Sequence, residues 1–127
     1  MNVKLCICLI FFWPINAFSG GDLDDPCSVK SGGVTAGYLC VEKKRKSTDV
    51  ELNESYKRAI NRLLAEDPDL EESFREAQRA WLKFKDSECE FIGSSLTNSP
   101  WRGVQIEKCK LQMMKERIKY FNQVFVG

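Results

Sequence analysis

The sequence predicts an all-α protein, a small antiparallel helical bundle of about three main helices stapled by two disulfides. Apolar residues recur every three or four positions through three successive segments, which is the spacing that places them on one face of a helix. Helix start signals precede the first two of these segments. Four cysteines follow a leader for export, and cysteines in small exported chains usually pair.

Residues 1–19 are predicted to be a cleavable signal peptide. Lys4 precedes an unbroken apolar run at 5–13, and the small-x-small sequence at 17–19 is typical of a signal peptidase site. The run is shorter than the roughly 20 residues that span a bilayer. Residues 20–127 are therefore expected to form one exported domain, periplasmic or extracellular, with no stable membrane span.

The charge balance argues against nucleic acid as a partner. The chain has 19 Lys and Arg against 18 Asp and Glu. Removal of Lys4 with the leader leaves 18 of each, so the mature chain is formally neutral. A nucleic-acid binder carries a clear basic excess.

The cysteines of the mature chain are predicted to form disulfides. Cys27, Cys40, Cys89 and Cys109 remain after cleavage, and three pairings are possible. Cys27–Cys40 and Cys89–Cys109 are favoured because each closes a local loop. A metal site is not expected, since the chain has no His and no CxxC spacing.

The first long helix is predicted over 49–66. Thr48 and Glu51 have the spacing of a capping box, in which each side chain bonds a free backbone N–H at the helix start. Before it, residues 20–34 are predicted to be an irregular entry segment. A short separate helical stretch is predicted around 38–44.

The second helix is predicted from Asp67-Pro68 to near Gly93. Asp is a good N-cap, and Pro is tolerated at the first helical position. An apolar stripe follows at 100° per residue, with Glu88 as its one departure. Its members are Leu70, Phe74, Ala77, Trp81, Phe84 and Ile92.

The third helix is predicted over 104–124 and carries two apolar stripes, one through Met114 and Phe121 and one through Met113 and Tyr120. Such a helix either packs between two neighbours or presents one face to a partner. Helices two and three are expected to form an antiparallel hairpin, which brings Cys89 and Cys109 together.

Three sequence patterns resemble the lysozyme inhibitor LprI-like family of small bacterial envelope proteins. They are LNxxY at 52–56, AQRAWLxFKDxxC at 77–89, and Cys109 followed eight residues later by Arg117. The resemblance covers most of 27–121. It implies a helical, disulfide-bonded, exported domain that inhibits lysozyme-type muramidases. The motif residues are interpreted as structural, with Asp86 a possible partner of Arg117; they are Asn53, Tyr56, Gln78, Trp81, Phe84, Asp86 and Arg117.

No enzyme is predicted and no cofactor is implied. The chain lacks His, the commonest general base, and it has no GxSxG, Walker or Rossmann pattern. The acidic residues within 66–76 cluster at a helix start, where the helix dipole and solvent account for them.

A protein-binding role is therefore the favoured hypothesis, with a lysozyme as the partner that the resemblance implies. The protein would act either by inserting the 93–103 loop into the enzyme cleft or by binding the surface of the enzyme. The contacts would be made by Ser94, Ser95, Trp101 and Arg102. The plain alternative is that the loop only joins two helices. A second hypothesis is a periplasmic immunity or chaperone-like protein that binds a toxin or another envelope partner through Met113 and Tyr120.

Overall fold

The computed structural model describes residues 25–29 and 31–124, and this part of the chain contains helices and no β-strand. Helix α1 spans Gly33–Glu66, a 3-10 turn spans Pro68–Leu70, α2 spans Glu71–Ser94 and α3 spans Arg102–Gln123. The predicted all-α fold is confirmed. The predicted signal peptide lies outside the described residues. Among the helices that are described, none is both long and apolar enough to cross a membrane.

Helix α1 is a single helix of 34 residues, so the predicted break before residue 49 is wrong. Thr48 does not cap a helix; it lies in the interior of α1 and is only 9% exposed. The preceding turns stay helical because they have a surface to pack on, with Val41 against Val104 and Leu111 of α3. The backbone N–H groups near residue 48 already have helical partners, which leaves a capping box nothing to satisfy.

The connection between α1 and α2 follows the predicted chemistry. The Asp67 N–H donates to the Leu63 carbonyl at 2.7 Å and ends α1, while the Asp67 carboxylate accepts from the Asp69 N–H at 3.3 Å. Pro68 occupies the first position of the 3-10 turn, where a missing N–H costs nothing. This reversal directs α2 back along the bundle.

Helix α3 is the centre of the bundle. It packs along both α1 and α2, whereas α1 and α2 touch each other little. The interpretation of α3 as a helix between two neighbours is therefore confirmed, although Tyr120 of the second stripe is 44% exposed. The main core lies where the three helices meet, and its buried members are Leu52, Ala59, Ile60, Leu63, Phe74, Met114, Ile118 and Phe121.

Three aromatic rings, one from each helix, form part of this core. Tyr56 of α1 stacks on Phe74 of α2 with ring centroids 5.5 Å apart. Phe121 of α3 meets both rings edge-on, at 5.6 and 5.9 Å. Edge-to-face and offset pairs contribute about 0.5–1.5 kcal/mol each beyond the area they bury. The cluster ties the C-terminal part of α1 and the N-terminal part of α2 to the C-terminal half of α3.

Both predicted disulfides are confirmed. Cys27 and Cys40 have Cα atoms 4.7 Å apart, and Cys89 and Cys109 have Cα atoms 5.5 Å apart. The first bond holds the N-terminal segment on α1, and the second joins α2 to α3. Disulfides that close loops of this size contribute about 2–4 kcal/mol each to the free energy of unfolding.

Helix α2 buries two members of the predicted stripe, Phe74 and Trp81, but its buried face is rotated away from the others. Its contacts with α3 are made by Phe74, Gln78, Trp81, Cys89 and Gly93. Phe84 is 56% exposed, so its predicted place in the buried stripe is wrong; Leu70, Ala77 and Ile92 are exposed as well. The disulfide and the close approach of Gly93 to α3 set the rotation of α2 about its axis. Phe84, three residues after Trp81, then lies about 60° from Trp81 around the helix, on the side away from α3.

Polar contacts also join α1 to α3. Arg45 Nε donates to the Glu107 carboxylate, which is buried between the two helices. Near the other end, Arg62 donates to the backbone carbonyl oxygens of Phe121 and Val124, the second at 3.3 Å. The last carbonyls of a helix have no partner within the helix. Arg62 supplies one to α3 from the neighbouring helix.

Met114 sits at the meeting point of the three helices and is completely buried. We expect Met114→Ala to lower the free energy of unfolding by about 2–5 kcal/mol, because the lost transfer energy adds to the cost of the cavity. The measurement is urea unfolding followed by circular dichroism. Val50→Ala, at a 65% exposed position of α1, is the control and should change it by less than about 0.5 kcal/mol. Equal effects of the two substitutions would contradict the core described above.

Candidate functional site

The connection between α2 and α3 is an ordered series of turns. The Leu96 N–H donates to the Gly93 carbonyl at 3.0 Å, and the Ser99 N–H donates to the Leu96 carbonyl at 2.9 Å. The Arg102 N–H then donates to the Ser99 carbonyl at 3.1 Å, which starts α3. Each turn hydrogen-bonds the next, so the segment has a defined shape at the end of the bundle.

Ser94 and Ser95 direct their hydroxyl protons back into α2. Ser94 Oγ donates to the Glu90 carbonyl at 2.9 Å, and Ser95 Oγ donates to the Ile92 carbonyl at 2.7 Å. Both side chains are exposed. Because a hydroxyl has one proton and two lone pairs, these groups can present only acceptors to a partner.

Arg102 holds the loop against the end of α2. Its Nε donates to the Gly93 carbonyl at 3.0 Å, and a terminal nitrogen lies 3.5 Å from the Glu90 carboxylate. The Gly93 carbonyl is in the last turn of α2 and also accepts from the Leu96 N–H, so Arg102 is its second donor. The side chain is still 43% exposed, and part of the guanidinium therefore faces solvent.

Trp101 links the loop to the N-terminal part of α1. Its ring lies so close to Gly37 that a Cβ there would be 3.2 Å from Trp101 Cζ3. The ring also lines a hollow of about 510 Å³ beside Cys27 and Cys40. Trp101 remains 44% exposed. The structure thus brings Trp101 and Arg102 to one end of the bundle, braced by both disulfides. We call this surface, with Ser94 and Ser95, the loop end.

The motif residues lie away from the loop end. Asn53, Tyr56 and Gln78 line a groove of about 280 Å³ between α1 and α2. Asp86 is exposed and lies 3.3 Å from Lys85 Nζ. Arg117 donates from Nε to Gln78 Oε1 at 3.0 Å. The hypothesis that Arg117 pairs with Asp86 is therefore replaced by a contact with a neutral amide.

Arg117 is held among three aromatic rings. Its Cζ lies 5.3 Å from the ring centroid of Trp81, 4.6 Å from that of Tyr120 and 4.8 Å from that of Phe121. Burial lowers the pKa of Arg117 from its ordinary value, and the nearby Tyr120 opposes that shift. An arginine keeps its charge at neutral pH even so. A half-buried positive charge is therefore present between α2 and α3.

Sequence reasoning did not single out this position as a binding feature. The signal was present, because the residues three and four positions from Arg117 on either side are all apolar: Met113, Met114, Tyr120 and Phe121. An arginine within the apolar stripes of a helix is costly to desolvate unless other groups receive it. Within residues 25–29 and 31–124, no group of three or more His, Cys, Asp and Glu side chains could hold a metal ion.

Comparison with known proteins identifies a family. A family model described as "Lysozyme inhibitor LprI" matches residues 27–121, a range that includes both disulfides. An uncharacterized protein of Rhizobium meliloti (strain 1021) is 24% identical over 89 aligned residues, which cover 62% of this chain and 64% of that protein. The chain thus matches less than two thirds of that relative's length. No solved structure is significantly similar to the chain.

The packing of Gly93 under the loop end can be tested with a matched pair of glycines. A Cβ at Gly93 would lie 2.5 Å from Ile106 Cδ1, whereas a Cβ at Gly103 would lie 3.4 Å from Tyr38 Cδ2. We expect Gly93→Ala to lower the free energy of unfolding by about 1–3 kcal/mol through overpacking. Gly103→Ala should be neutral or stabilising by up to about 1 kcal/mol, because alanine favours the helix. Urea unfolding of both variants measures the difference, and a harmless Gly93→Ala would contradict the close helix contact.

Proposed function

The chain belongs to the lysozyme inhibitor LprI family, and we propose that it is an exported protein that inhibits a lysozyme-type muramidase through the loop end. The observation that carries the proposal is the bracing of Trp101 and Arg102. One ring is wedged against α1 and one guanidinium is bonded to the last turn of α2. A binding segment that is already ordered loses little conformational entropy when it binds.

The chemistry of the loop end suits a muramidase cleft. Enzymes that hydrolyse glycosidic bonds use a pair of carboxyl groups, one ionised and one protonated, on either side of the bond. The exposed part of the Arg102 guanidinium can donate to the ionised group. The hydroxyl oxygens of Ser94 and Ser95 can accept from the protonated one. Trp101 adds a large, half-exposed ring, and Trp and Arg are the residue types that dominate interface energies.

Export fits the same role. The leader predicted at 1–19 would deliver the chain to an oxidising compartment, where Cys27–Cys40 and Cys89–Cys109 are stable. A lysozyme that attacks the cell wall acts in that compartment or outside it. We propose the envelope or the extracellular space as the site of action, and no catalytic activity for the chain itself.

A second candidate is an immunity or chaperone-like protein for a toxin or another envelope partner. One observation favours it: Tyr120 is 44% exposed and lines a groove together with Met113. This candidate predicts that no lysozyme class is inhibited, while substitution of Tyr120 abolishes binding to the cognate partner.

The test of the proposed inhibitor uses residues 20–127 with both disulfides intact, titrated into lysozymes of several classes. We expect stoichiometric loss of muramidase activity for one class. Trp101→Ala and Arg102→Ala should each weaken inhibition about tenfold or more, because each removes an anchor from the loop end. Residual muramidase activity against inhibitor concentration is the readout.

Arg58→Ala, on an exposed part of α1, is the matched control and should inhibit like the parent protein. Circular dichroism of each variant separates lost binding from lost folding, since Arg102 also bonds the end of α2. Failure to inhibit any lysozyme class would remove the proposed function. Inhibition that survives both substitutions would place the contact elsewhere on the molecule.

A further inference from the structure

The guanidinium of Arg117 has hydrogen-bonding capacity that its surroundings do not use. An arginine has five N–H donors, and Nε donates to Gln78 Oε1. Among the described residues, Arg117 makes no ion pair and no second hydrogen bond. Within residues 25–29 and 31–124, Arg62 Nε is the side-chain atom that is fully buried without a hydrogen-bond partner. The terminal nitrogens of Arg117 have no partner in this range, so they cannot be fully buried as well. The terminal N–H groups of Arg117 therefore reach solvent.

The side chain of Arg117 lines a groove between α2 and α3. The groove has a volume of about 400 Å³ and is lined by Trp81, Gln112, Met113, Glu116, Arg117 and Tyr120. We call it the Arg117 groove. The apolar part of its wall consists of two aromatic rings and a methionine, and such surfaces give up water readily. A charge inside it is screened less than a charge on an open surface.

The electrostatic balance of the Arg117 groove is positive. Its carboxylate, Glu116, is engaged by two groups of its own helix: Gln112 Nε2 donates to it at 2.9 Å and Lys119 Nζ at 3.0 Å. On the α2 side, Lys85 Nζ lies 5.8 Å from the Trp81 ring centroid and is paired with Asp86. Glu116 and Lys85 thus have partners of opposite charge. Among the described residues, the positive charge of Arg117 has no such partner.

The groove continues into an exposed apolar ridge on α2. Phe84 and Phe91 are 56% and 70% exposed. At 100° per residue they lie within about 20° of each other, and both fall on the flank of α2 beyond Trp81. Leu82 lies on the opposite flank, where it lines the groove between α1 and α2. The ridge therefore leads from the Arg117 groove towards the loop end.

The features of this surface select the chemistry of an occupant. A free guanidinium offers two parallel N–H donors, which match a carboxylate. One unpaired cation among apolar walls is a poor phosphate or nucleic-acid site, and the chain has a net charge of only +1. The apolar walls favour an apolar side chain next to the carboxylate. A concave site also requires a convex ligand, such as a turn or a helix that projects from a protein.

We propose that the Arg117 groove is a docking site for a projecting, acidic segment of the partner protein, whose carboxylate is bound by Arg117 and whose apolar neighbour packs on Trp81 and Tyr120. The identity of the partner rests on the proposed function, which makes it a lysozyme. The carboxylate then belongs to the convex rim of the enzyme, because the catalytic carboxyl groups lie within a cleft that a groove does not reach.

The groove and the loop end can contact one partner at the same time. Trp81 and Gly93 are twelve residues apart on α2, which is about 18 Å along the helix axis. A standard interface covers about 800 Å² on each partner, a patch roughly 30 Å across. Phe84 and Phe91 lie between the two surfaces and would be covered by the same partner.

The binding chemistry is tested first without any lysozyme. The probe is the blocked tripeptide acetyl-Leu-Glu-Leu-amide, and its uncharged match is acetyl-Leu-Gln-Leu-amide. The readouts are the NMR signals of the Trp81 indole N–H and the Arg117 Nε–H in residues 20–127. We expect saturable shifts with the Glu peptide, with a dissociation constant on the order of 1–10 mM. The Gln peptide should bind at least about tenfold more weakly.

Arg117→Met keeps a long apolar side chain and removes the charge, so it should abolish the preference for the Glu peptide. Arg117→Lys should retain only part of it, because an ammonium group lacks the fork of donors. Arg58→Met is the matched control and should bind like the parent. Equal shifts with the two peptides, or no saturable shift, would overturn the proposal. A dimer in sedimentation that Arg117→Met dissociates would also overturn it, because a second copy would then occupy the groove.

The second arm asks whether a lysozyme uses this site. For a class that the parent inhibits, Arg117→Met and Phe84→Ser should each raise the inhibition constant about tenfold or more. Phe84→Ser changes an exposed side chain, and circular dichroism of both variants separates lost binding from lost folding. Inhibition by the parent that both variants retain would overturn the docking proposal and leave the inhibitor function standing. If the parent inhibits no lysozyme, the inhibitor function fails, and the peptide titration alone decides the chemistry of the groove.

Discussion

The contact between the end of α2 and the start of α3 determines much of what this molecule presents to solvent. Cys89 is bonded to Cys109, and four residues later Gly93 approaches Ile106 more closely than any residue with a Cβ could. These two contacts fix both the rotation of α2 about its axis and its distance from α3. The hydrophobic effect alone would turn Phe84 inward. The covalent bond and the close packing outweigh it, and Phe84 and Phe91 face outward while Phe74 and Trp81 stay against the core.

The same contact prepares the loop end. With Gly93 against α3, its carbonyl lies within reach of Arg102, and the connection is short enough to be made of consecutive turns. Trp101 then packs on α1 near the other disulfide. A candidate binding surface is thereby ordered by contacts that also stabilise the fold. Affinity at such a surface depends on pre-organisation more than on its area.

The neutral balance of charge shapes how a partner would be recognised. A chain with a net charge near zero attracts a charged enzyme only weakly at long range. Discrimination must come from short-range contacts, where a single unpaired cation in an apolar setting has a large effect. Arg117 is such a cation, since Gln78 and the surrounding rings accept its charge without cancelling it. Keeping a charge half-buried costs stability, and proteins often carry such costs at functional sites.

Local rules of sequence were sufficient for α2, α3 and the cysteine pairs. The Asp67-Pro68 signal marked the turn between α1 and α2, the two stripes of α3 identified it as the helix between two neighbours, and loop closure identified both disulfides. The family motifs in 52–89 and around Arg117 also pointed to the right family. These features depend on residues close together in the chain, or on periodicities that a single helix must obey.

Only the tertiary structure decided how far α1 extends along the chain and which face of α2 is buried. Thr48 has the chemistry of a helix cap, yet the chain stays helical through it because Val41 has α3 to pack on. Phe84 has the periodicity of a core residue, yet packing at Gly93 turns it outward. Arg117 has the charge of a surface residue, yet three rings from two helices enclose it. For Thr48 and Phe84 the deciding atoms belong to a different helix, and contacts across such distances in sequence leave no local pattern. For Arg117 the neighbouring rings of its own helix could be read from the sequence, but the contacts from Trp81 and Gln78 of α2 could not.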